Sequence, residues 1–309
     1  MNAVHRRRAG VLAAILGAWL TRAPIAGEQQ PTFRTGVDVI RLDVLVLDGS
    51  DPVTGLTARD FEVTDNGALQ RAEVVSLGDS PIDVVLALDT SSSVGGRLLA
   101  QLIAAAEALV KALDPRDRAA LLTFSNTLAL RSPLTADRDR IREALAGVRY
   151  FGSTSIIDAL SAAISLPGAT GRPTLLLAFS DGLDTASWLT PSQVLDQARR
   201  SDIVIDGVVV GSGSTLSAED FRAPRQTADP DDIPSFLPRV TTATGGRLLD
   251  GSRGERLSGA FVDAVRSFRQ RYEITYSPDG PQTPGWHAIG VRVKGRPALT
   301  IRARPGYLR

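Results

Sequence analysis

Residues 81–100 read PIDVVLALDTSSSVGGRLLA. Residues 82–88 are apolar apart from Asp83, the pattern of a strand buried on both faces. The run stops at Asp89, and Thr90, Ser91, Ser92 and Ser93 follow. Gly95-Gly96 lets the chain bend. Residues 97–113 then set apolar side chains at helical spacing among strong helix formers. A strand suited to a protein core thus delivers a carboxylate and a row of hydroxyls to its own end.

The strand-then-helix pattern continues downstream. RAALLTFS, PTLLLAFSDG and DIVIDGVVVG read as buried strands, and TLALRS as a short edge strand. DRDRIREALAGV, SIIDALSAAISL, SQVLDQARRS and GERLSGAFVDAVRSFRQ read as helices, and residues 211–235 as a polar connection. Strands alternating with helices over residues 81–269 predict an α/β domain with a doubly wound, mostly parallel sheet, Rossmann-like, helices covering both faces.

The flanks are different. Residues 37–47, VDVIRLDVLVL, alternate and then run apolar, Asn66-Gly67 marks a hairpin, and AEVVSL closes the segment 28–80. RYEITYSP, WHAIGVRVKG and ALTIRARPG in 270–309 alternate in part, with Pro and Gly between them. A few strands alone make a marginal unit. The two flanks are therefore expected to pack together as a smaller, sandwich-like β domain, with the α/β domain inserted between them.

Bulk composition limits the function classes. Hydrophobic residues make up 43% and charged residues 22% of the 309, ordinary for a globular protein. The net charge of +1 hides an uneven distribution, because residues 1–27 hold Arg6, Arg7, Arg8 and Arg22 and no acid. The remainder is slightly acidic, which gives no reason to expect a nucleic acid or an anionic membrane as partner. Three arginines, the apolar run Val11 to Leu20 and the small residues 23–27 predict an export signal at residues 1–27, with an uncleaved membrane anchor as the alternative. The expected location is exported: periplasmic, secreted or associated with the cell envelope.

The chain has no cysteine, which excludes disulfides, thiolate metal sites and cysteine nucleophiles. Of its two histidines, His5 lies in the expected signal, which leaves His287, expected as a packed or surface residue. A Ser-His-Asp triad or a His-rich zinc site has almost nothing to draw on.

In a doubly wound sheet, ligands bind beyond the carboxyl ends of the strands. Three loops expected at that rim carry short oxygen-bearing side chains: Asp89 to Ser93, Phe151-Gly152-Ser153-Thr154-Ser155, and Ser180-Asp181-Gly182. In an extended loop, residues i and i+2 share a side, so Ser91 and Ser93 can converge while Thr90 and Ser92 point away. Carboxylates with neutral hydroxyls suit a hard divalent ion such as Mg2+, which takes six oxygen ligands and keeps waters. An ion left with a free position would accept a carboxylate from outside.

The DTSSS stretch resembles the D-x-S-x-S motif of von Willebrand factor type A domains, and the threonine of GSTS and the aspartate of SDG follow in the family's order. Together they resemble a metal-ion-dependent adhesion site (MIDAS). The resemblance implies that Ser91, Ser93 and Thr154 supply hydroxyl ligands and Asp89 and Asp181 supply carboxylates. It also implies an ion, usually Mg2+, with Mn2+ or Ca2+ as alternatives. GLTARDFEV and the final RPGYLR are similar to exported bacterial members of the related family.

Each piece also has a plainer reading. Ser91 to Ser93 could cap the helix near Arg97, Ser155 with Asp158 fits a capping box, and Asp181-Gly182 could be a turn. Asp184 could add charge to the rim, and GSGS at 211–214 lacks the lysine of a phosphate loop. The expected function is a non-enzymatic, metal-dependent adhesion module that binds a protein ligand through an exposed Asp or Glu. A scaffold with a structural metal site and a metal-assisted hydrolase are the alternatives.

Overall fold

The computed structural model describes residues 39–78, 80–167, 171–180, 184–210, 229–251, 256–279 and 283–309. The expected signal at 1–27, Asp181 and the GSGS stretch lie outside the described residues.

The N-terminal flank holds β1 (Ile40–Asp48), β2 (Asp51–Pro52), β3 (Phe61–Asp65), β4 (Ala68–Gln70) and β5 (Glu73–Ser76). The α/β segment runs β6 (Asp83–Asp89), α1 (Arg97–Ala112), β7 (Arg118–Phe124), β8 (Leu128–Thr135), α2 (Arg138–Ala146) and α3 (Ile156–Ser165). It continues with β9 (Thr174–Ser180), α4 (Pro191–Arg200), β10 (Ile203–Val209), α5 (Ile233–Ala243), β11 (Leu248–Asp250) and α6 (Leu257–Arg269). Strands β12 (Tyr272–Tyr276), β13 (Trp286–Val293), β14 (Thr300–Arg302) and β15 (Gly306–Leu308) close the chain.

The central sheet has six strands in the order β11-β10-β9-β6-β7-β8, parallel except for β8, which runs antiparallel to β7. The alternation of a strand supplies both faces. Val84, Leu86 and Leu88 of β6 pack with Leu102, Leu109 and Phe261 of α1 and α6, whereas Val85 and Ala87 pack with Ile156, Leu160, Val194 and Phe236 of α3, α4 and α5. Asp83 interrupts the apolar run because it opens β6 at the opposite end of the sheet. There it is fully buried and salt-bridged to Arg118 and Arg172.

From β6 the chain adds β7 and β8 on one side and then returns to add β9, β10 and β11 on the other. The order therefore reverses between β6 and β9, and the crevice at their carboxyl ends is where such sheets place ligands.

In the flanks, β1 pairs antiparallel with β12 and β14, and β3 with β13. The two antiparallel sheets, β14-β1-β12-β5 and β15-β13-β3-β4, share one apolar cluster that includes Leu42, Val44, Phe61, Val63, Tyr272, Ile274 and Val293. Arginines tie the strands to the α/β segment. Arg271, almost wholly buried, donates to the carbonyls of Asp43 and Gly245. Arg304 donates to the carbonyls of Ser201 and Arg41 and to Asp202.

Helix α5 departs from the sequence reading, which left its beginning in the polar connection and assigned no helix there. Pro234 stands in its first turn, where no amide hydrogen is needed, but Pro238 lies inside it. The carbonyl of Pro238 accepts from the hydroxyls of Thr241 and Thr242, and Phe236, Leu237 and Val240 are buried against the sheet. Tertiary packing holds a helix that local propensity opposes.

Candidate functional site

Near the carboxyl ends of β6, β7 and β9, the serine loop after β6, the loop before α3 and residues 184–189 are joined by hydrogen bonds. Asp89 is the last residue of β6 and Ser180 the last of β9, and both are fully buried. The Ser180 hydroxyl donates to Asp89 Oδ2 at 2.8 Å, directly across the reversal point. Asp89 Oδ1 accepts the amide of Ser91 at 2.8 Å. These bonds fix the carboxylate at the base of the rim.

Beyond Asp89, the backbone turns. Thr90 sends both its amide and its hydroxyl to the carbonyl of Phe124, at the end of β7. Its side chain therefore points away from Ser91. The Oγ atoms of Ser91 and Ser93 lie 2.9 Å apart. The convergence agrees with the sequence reading but arises differently. Ser92–Val94 form a 3-10 turn and not an extended loop, and that turn brings Ser93 back over Ser91. Ser91 is buried and Ser93 exposed, so the pair runs from the sheet toward solvent.

The second loop is stitched onto the first. The Ser92 amide donates to the Gly152 carbonyl at 2.9 Å, and the Phe151 amide to the Thr90 carbonyl at 2.8 Å. The Tyr150 ring packs against Gly95, where a Cβ would come within 2.8 Å of it. A residue with φ of 68° at Gly96 then turns the chain into α1. This loop brings Thr154 to the rim. The Thr154 amide donates to Thr185 Oγ1, and the Thr185 amide returns to the Thr154 carbonyl. Thr154 is buried, and its hydroxyl makes no hydrogen bond among the described residues.

The plainer roles for these side chains are not the ones the structure uses. The N-cap of α1 is Gly96, with no side-chain cap, so Ser91 to Ser93 do not cap that helix. Ser155 does stand at the N-cap of α3, yet it makes no capping bond, and its hydroxyl donates to the Ser125 carbonyl. Asp158 is not a capping-box partner either. Its two oxygens accept the amides of Trp188 and Leu189.

Of the residues singled out in the sequence, the structure joins Asp89, Ser91 and Ser93 through hydrogen bonds and fastens the Thr154 loop beside them. Asp181 follows Ser180 but is outside the described residues. Asp184 does not face the rim as a free charge. Its oxygens accept the amides of Ile157, Ala186 and Ser187 and the Ser187 hydroxyl, at the positive end of α3. Ser180 was not singled out as a site residue, although it shares the SDG stretch with Asp181. Only the pairing of β6 beside β9 gives it a role.

His287 is remote in kind as well as in sequence. It sits buried in β13, between Asp65 and the Thr283 carbonyl. Among the described residues no three His, Cys, Asp or Glu side chains gather into a metal-holding group. Among the described residues, the hydroxyls of Ser91, Ser93 and Ser180 gather near the Asp89 carboxylate, and the loop fastened beside them carries Thr154. An all-oxygen donor set fits a hard cation. Adjacent ligands of octahedral Mg2+, at about 2.0–2.1 Å from the ion, stand about 2.9 Å from each other. The Ser91–Ser93 separation fits that spacing.

Residues 84–183 match the von Willebrand factor type A domain family. Inter-alpha-trypsin inhibitor heavy chain H4 of Homo sapiens is 26% identical over 190 residues, which cover 56% of this chain and 19% of that protein. The Sus scrofa protein of that name is 30% identical over 195 residues, 58% of this chain and 20% of that protein. The chain thus spans about a fifth of the length of these curated relatives. Among solved structures, proximal thread matrix protein 1 from the mussel byssus, with its MIDAS motif occupied by zinc, is similar in fold. Its TM-score is 0.52 at 16% identity, covering 68% of this chain and 50% of that chain.

Proposed function

We propose that this chain, which carries a von Willebrand factor type A domain, is a non-enzymatic binding module that takes an acidic group of a protein partner through a divalent cation, Mg2+ by preference. Asp89, Ser91, Ser93, Thr154 and Asp181 would hold the ion. When bound, the ion supplies a coordination position for a carboxylate from outside.

The observation that carries the reading is the Ser91–Ser93 pair above Asp89. Two hydroxyls converge at ligand spacing over a fixed, buried carboxylate, and neither serves as a helix cap. The chain's own residues prepare the place. Ser180 and the Ser91 amide orient Asp89, and Thr90 anchors the loop to β7. The similar fold of the byssus protein, which holds zinc in its MIDAS motif, adds support for a divalent ion.

A hydrolase reading has no histidine base at the rim among the described residues. Among the described residues the histidine is in β13, held by Asp65 and Thr283, and no role of general base can be assigned at the rim. Export fits the arginine-led apolar segment of residues 1–27. Among the described residues, no helix is long and apolar enough to cross a membrane.

The experiment is calorimetric titration of the metal-stripped chain with Mg2+, Mn2+, Ca2+ and Zn2+, paired with a pull-down from envelope extract in Mg2+ eluted by EDTA. Saturable binding of one ion, lost in Asp89→Ala, is expected, with EDTA-released partners absent from the variant's eluate. Partner capture that persists without divalent ions sinks the mechanism.

A further inference from the structure

We propose that the surface beside the hydroxyl rim reads an apolar or aromatic side chain adjacent to the captured acid, with Trp188, Tyr150 and Phe151 as its contacts. The partner is then an acidic peptide segment carrying a large apolar residue next to its Asp or Glu. The inference rests on the binding-module reading above.

Trp188 is 94% exposed, the most exposed of the large apolar side chains described. A tryptophan so displayed is unusual for a structural residue, because burying its ring is worth several kcal/mol in a core or an interface. Its backbone is nevertheless held firmly. The amides of Trp188 and Leu189 both donate to the Asp158 carboxylate, at 3.0 and 2.9 Å. Three residues earlier in the chain, Thr185 makes three hydrogen bonds to the backbone of Thr154. The loop that presents the ring is thus fastened at one end to a candidate ligand and at the other to the first turn of α3. Ordering costs that a flexible loop would incur on binding are already met by these bonds.

The second pair comes from the loop that leads into Thr154. Tyr150 is 50% and Phe151 45% exposed. The ring of Tyr150 rests on Gly95 of the serine loop, and the Phe151 amide is bonded to Thr90. Single exposed apolar residues need no explanation. Here three aromatic residues share two loops: one carries Thr154 and is hydrogen-bonded to Thr90 and Ser92 of the serine loop, and the other is hydrogen-bonded to Thr154. Rigid, exposed aromatic side chains are the residues that dominate binding energy at protein interfaces.

Charge favours an acidic occupant. Among the described residues, the Asp158 and Asp184 carboxylates beside the rim accept backbone amides on both oxygens. Each is compensated at the N-terminal end of α3, where the helix dipole is positive. An incoming Asp or Glu therefore meets aromatic surface and compensated charge beside the hydroxyls.

The test uses an array of short peptides with one fixed Asp and every residue in turn at the flanking positions, probed with the full chain in Mg2+ and again in EDTA. The wild-type chain is expected to favour Leu, Phe or Trp flanks by about fivefold or more. Trp188→Ala is expected to flatten that preference to under about twofold. Trp286→Ala serves as the control, because Trp286 is half-exposed in β13 with the Arg199 guanidinium over its ring, and its preference profile should match wild type. If Asp peptides bind in an EDTA-sensitive way with no flanking preference, or the preference survives Trp188→Ala, the aromatic surface is wrong and the metal reading stands. EDTA-insensitive binding, or no peptide binding, overturns both. Retention by a glycan array in place of the peptides overturns the stated partner.

Discussion

Ser180 Oγ donates to Asp89 Oδ2 at 2.8 Å, linking the last residues of β9 and β6 across the point where the sheet reverses its order. Neighbouring strands of opposite crossover direction thus share one buried carboxylate. The bond presets Asp89 for whatever sits above it.

Two substitutions separate orientation from coordination. Ser180→Ala removes one neutral-to-charged hydrogen bond and should lower metal-free stability by about 1–3 kcal/mol. Mg2+ at a hundredfold excess over its Kd should stabilise the wild-type chain by about 2.7 kcal/mol. Asp89→Ala should show no Mg2+-induced rise in Tm. Thermal melts over a Mg2+ series check both, and a flat wild-type series would remove the ion from the site.

Asp43 gives the stability an unusual pH slope. Its Oδ1 has no hydrogen-bond partner among the described residues, and it lines a cavity of about 10 Å3 with Arg41, Asp202 and Arg304. Burial pushes its carboxyl up to about 7, against the pull of Arg271 and with Glu273 adding to the rise. Between pH 4 and 7 the folded state keeps a proton that the unfolded chain has released. Stability from this group therefore falls as pH rises through that window and is level above it. Asp43→Asn should remove the slope and raise Tm at pH 8, by up to about 4 kcal/mol of stability. Melts of both chains at pH 5 and pH 8 give the comparison, and an equal Tm difference at the two pH values would contradict it.

His287 adds a second slope for a geometric reason. Nδ1 faces Asp65 Oδ1 at 3.0 Å and Nε2 faces the Thr283 carbonyl at 2.8 Å. Both partners are acceptors, so only the doubly protonated ring satisfies both. The bond to the Thr283 carbonyl raises the imidazole above its usual range, burial opposes the shift, and Asp65 adds to the rise. Its contribution is complete below about pH 6.5 and is lost as pH rises through the higher folded value. His287→Gln should be less stable than wild type at pH 6, with the gap narrowing by pH 9. Denaturant melts at the two pH values measure the gap, and a constant difference would refute the doubly protonated state.

Gly245 of the α/β segment lies close against the backbone of Ala303 and Arg304 in the flank. Its φ is +73°, and a Cβ there would lie 2.6 Å from the Ala303 carbonyl carbon. Its own carbonyl accepts from Arg271. Gly245→Ala should cost more than the roughly 1 kcal/mol of an ordinary glycine replacement at positive φ, because backbone has to move. Urea melts quantify the loss. A change below about 0.5 kcal/mol would show that the contact relaxes freely.

The alternation of buried strands and helices was legible because each is a local pattern: Val84 to Leu88 point to two apolar layers, and α1 has one apolar face. The break at Asp89 and the hydroxyl content of the three loops were legible for the same reason. Helix α5 was not, because Pro238 opposes it locally and only burial of Phe236, Leu237 and Val240 holds it. The role of Ser180 was not either, since nothing near it in the chain tells that β9 pairs with β6 and not with β7's other edge.

By itself the sequence determined which residues are apolar at strand and helix period, where that pattern stops, and which oxygen-bearing side chains stand at the stops. Those are properties of neighbours along the chain. Tertiary structure decided that β6 and β9 lie side by side, so that Ser180 meets Asp89. It also decided that a 3-10 turn carries Ser93 over Ser91, and that Asp184 and Asp158 are taken up by backbone amides while Trp188 is left in solvent. Strand order and hydrogen-bond choice depend on which distant segments share a buried surface, and each competing partner is equally available to the local sequence.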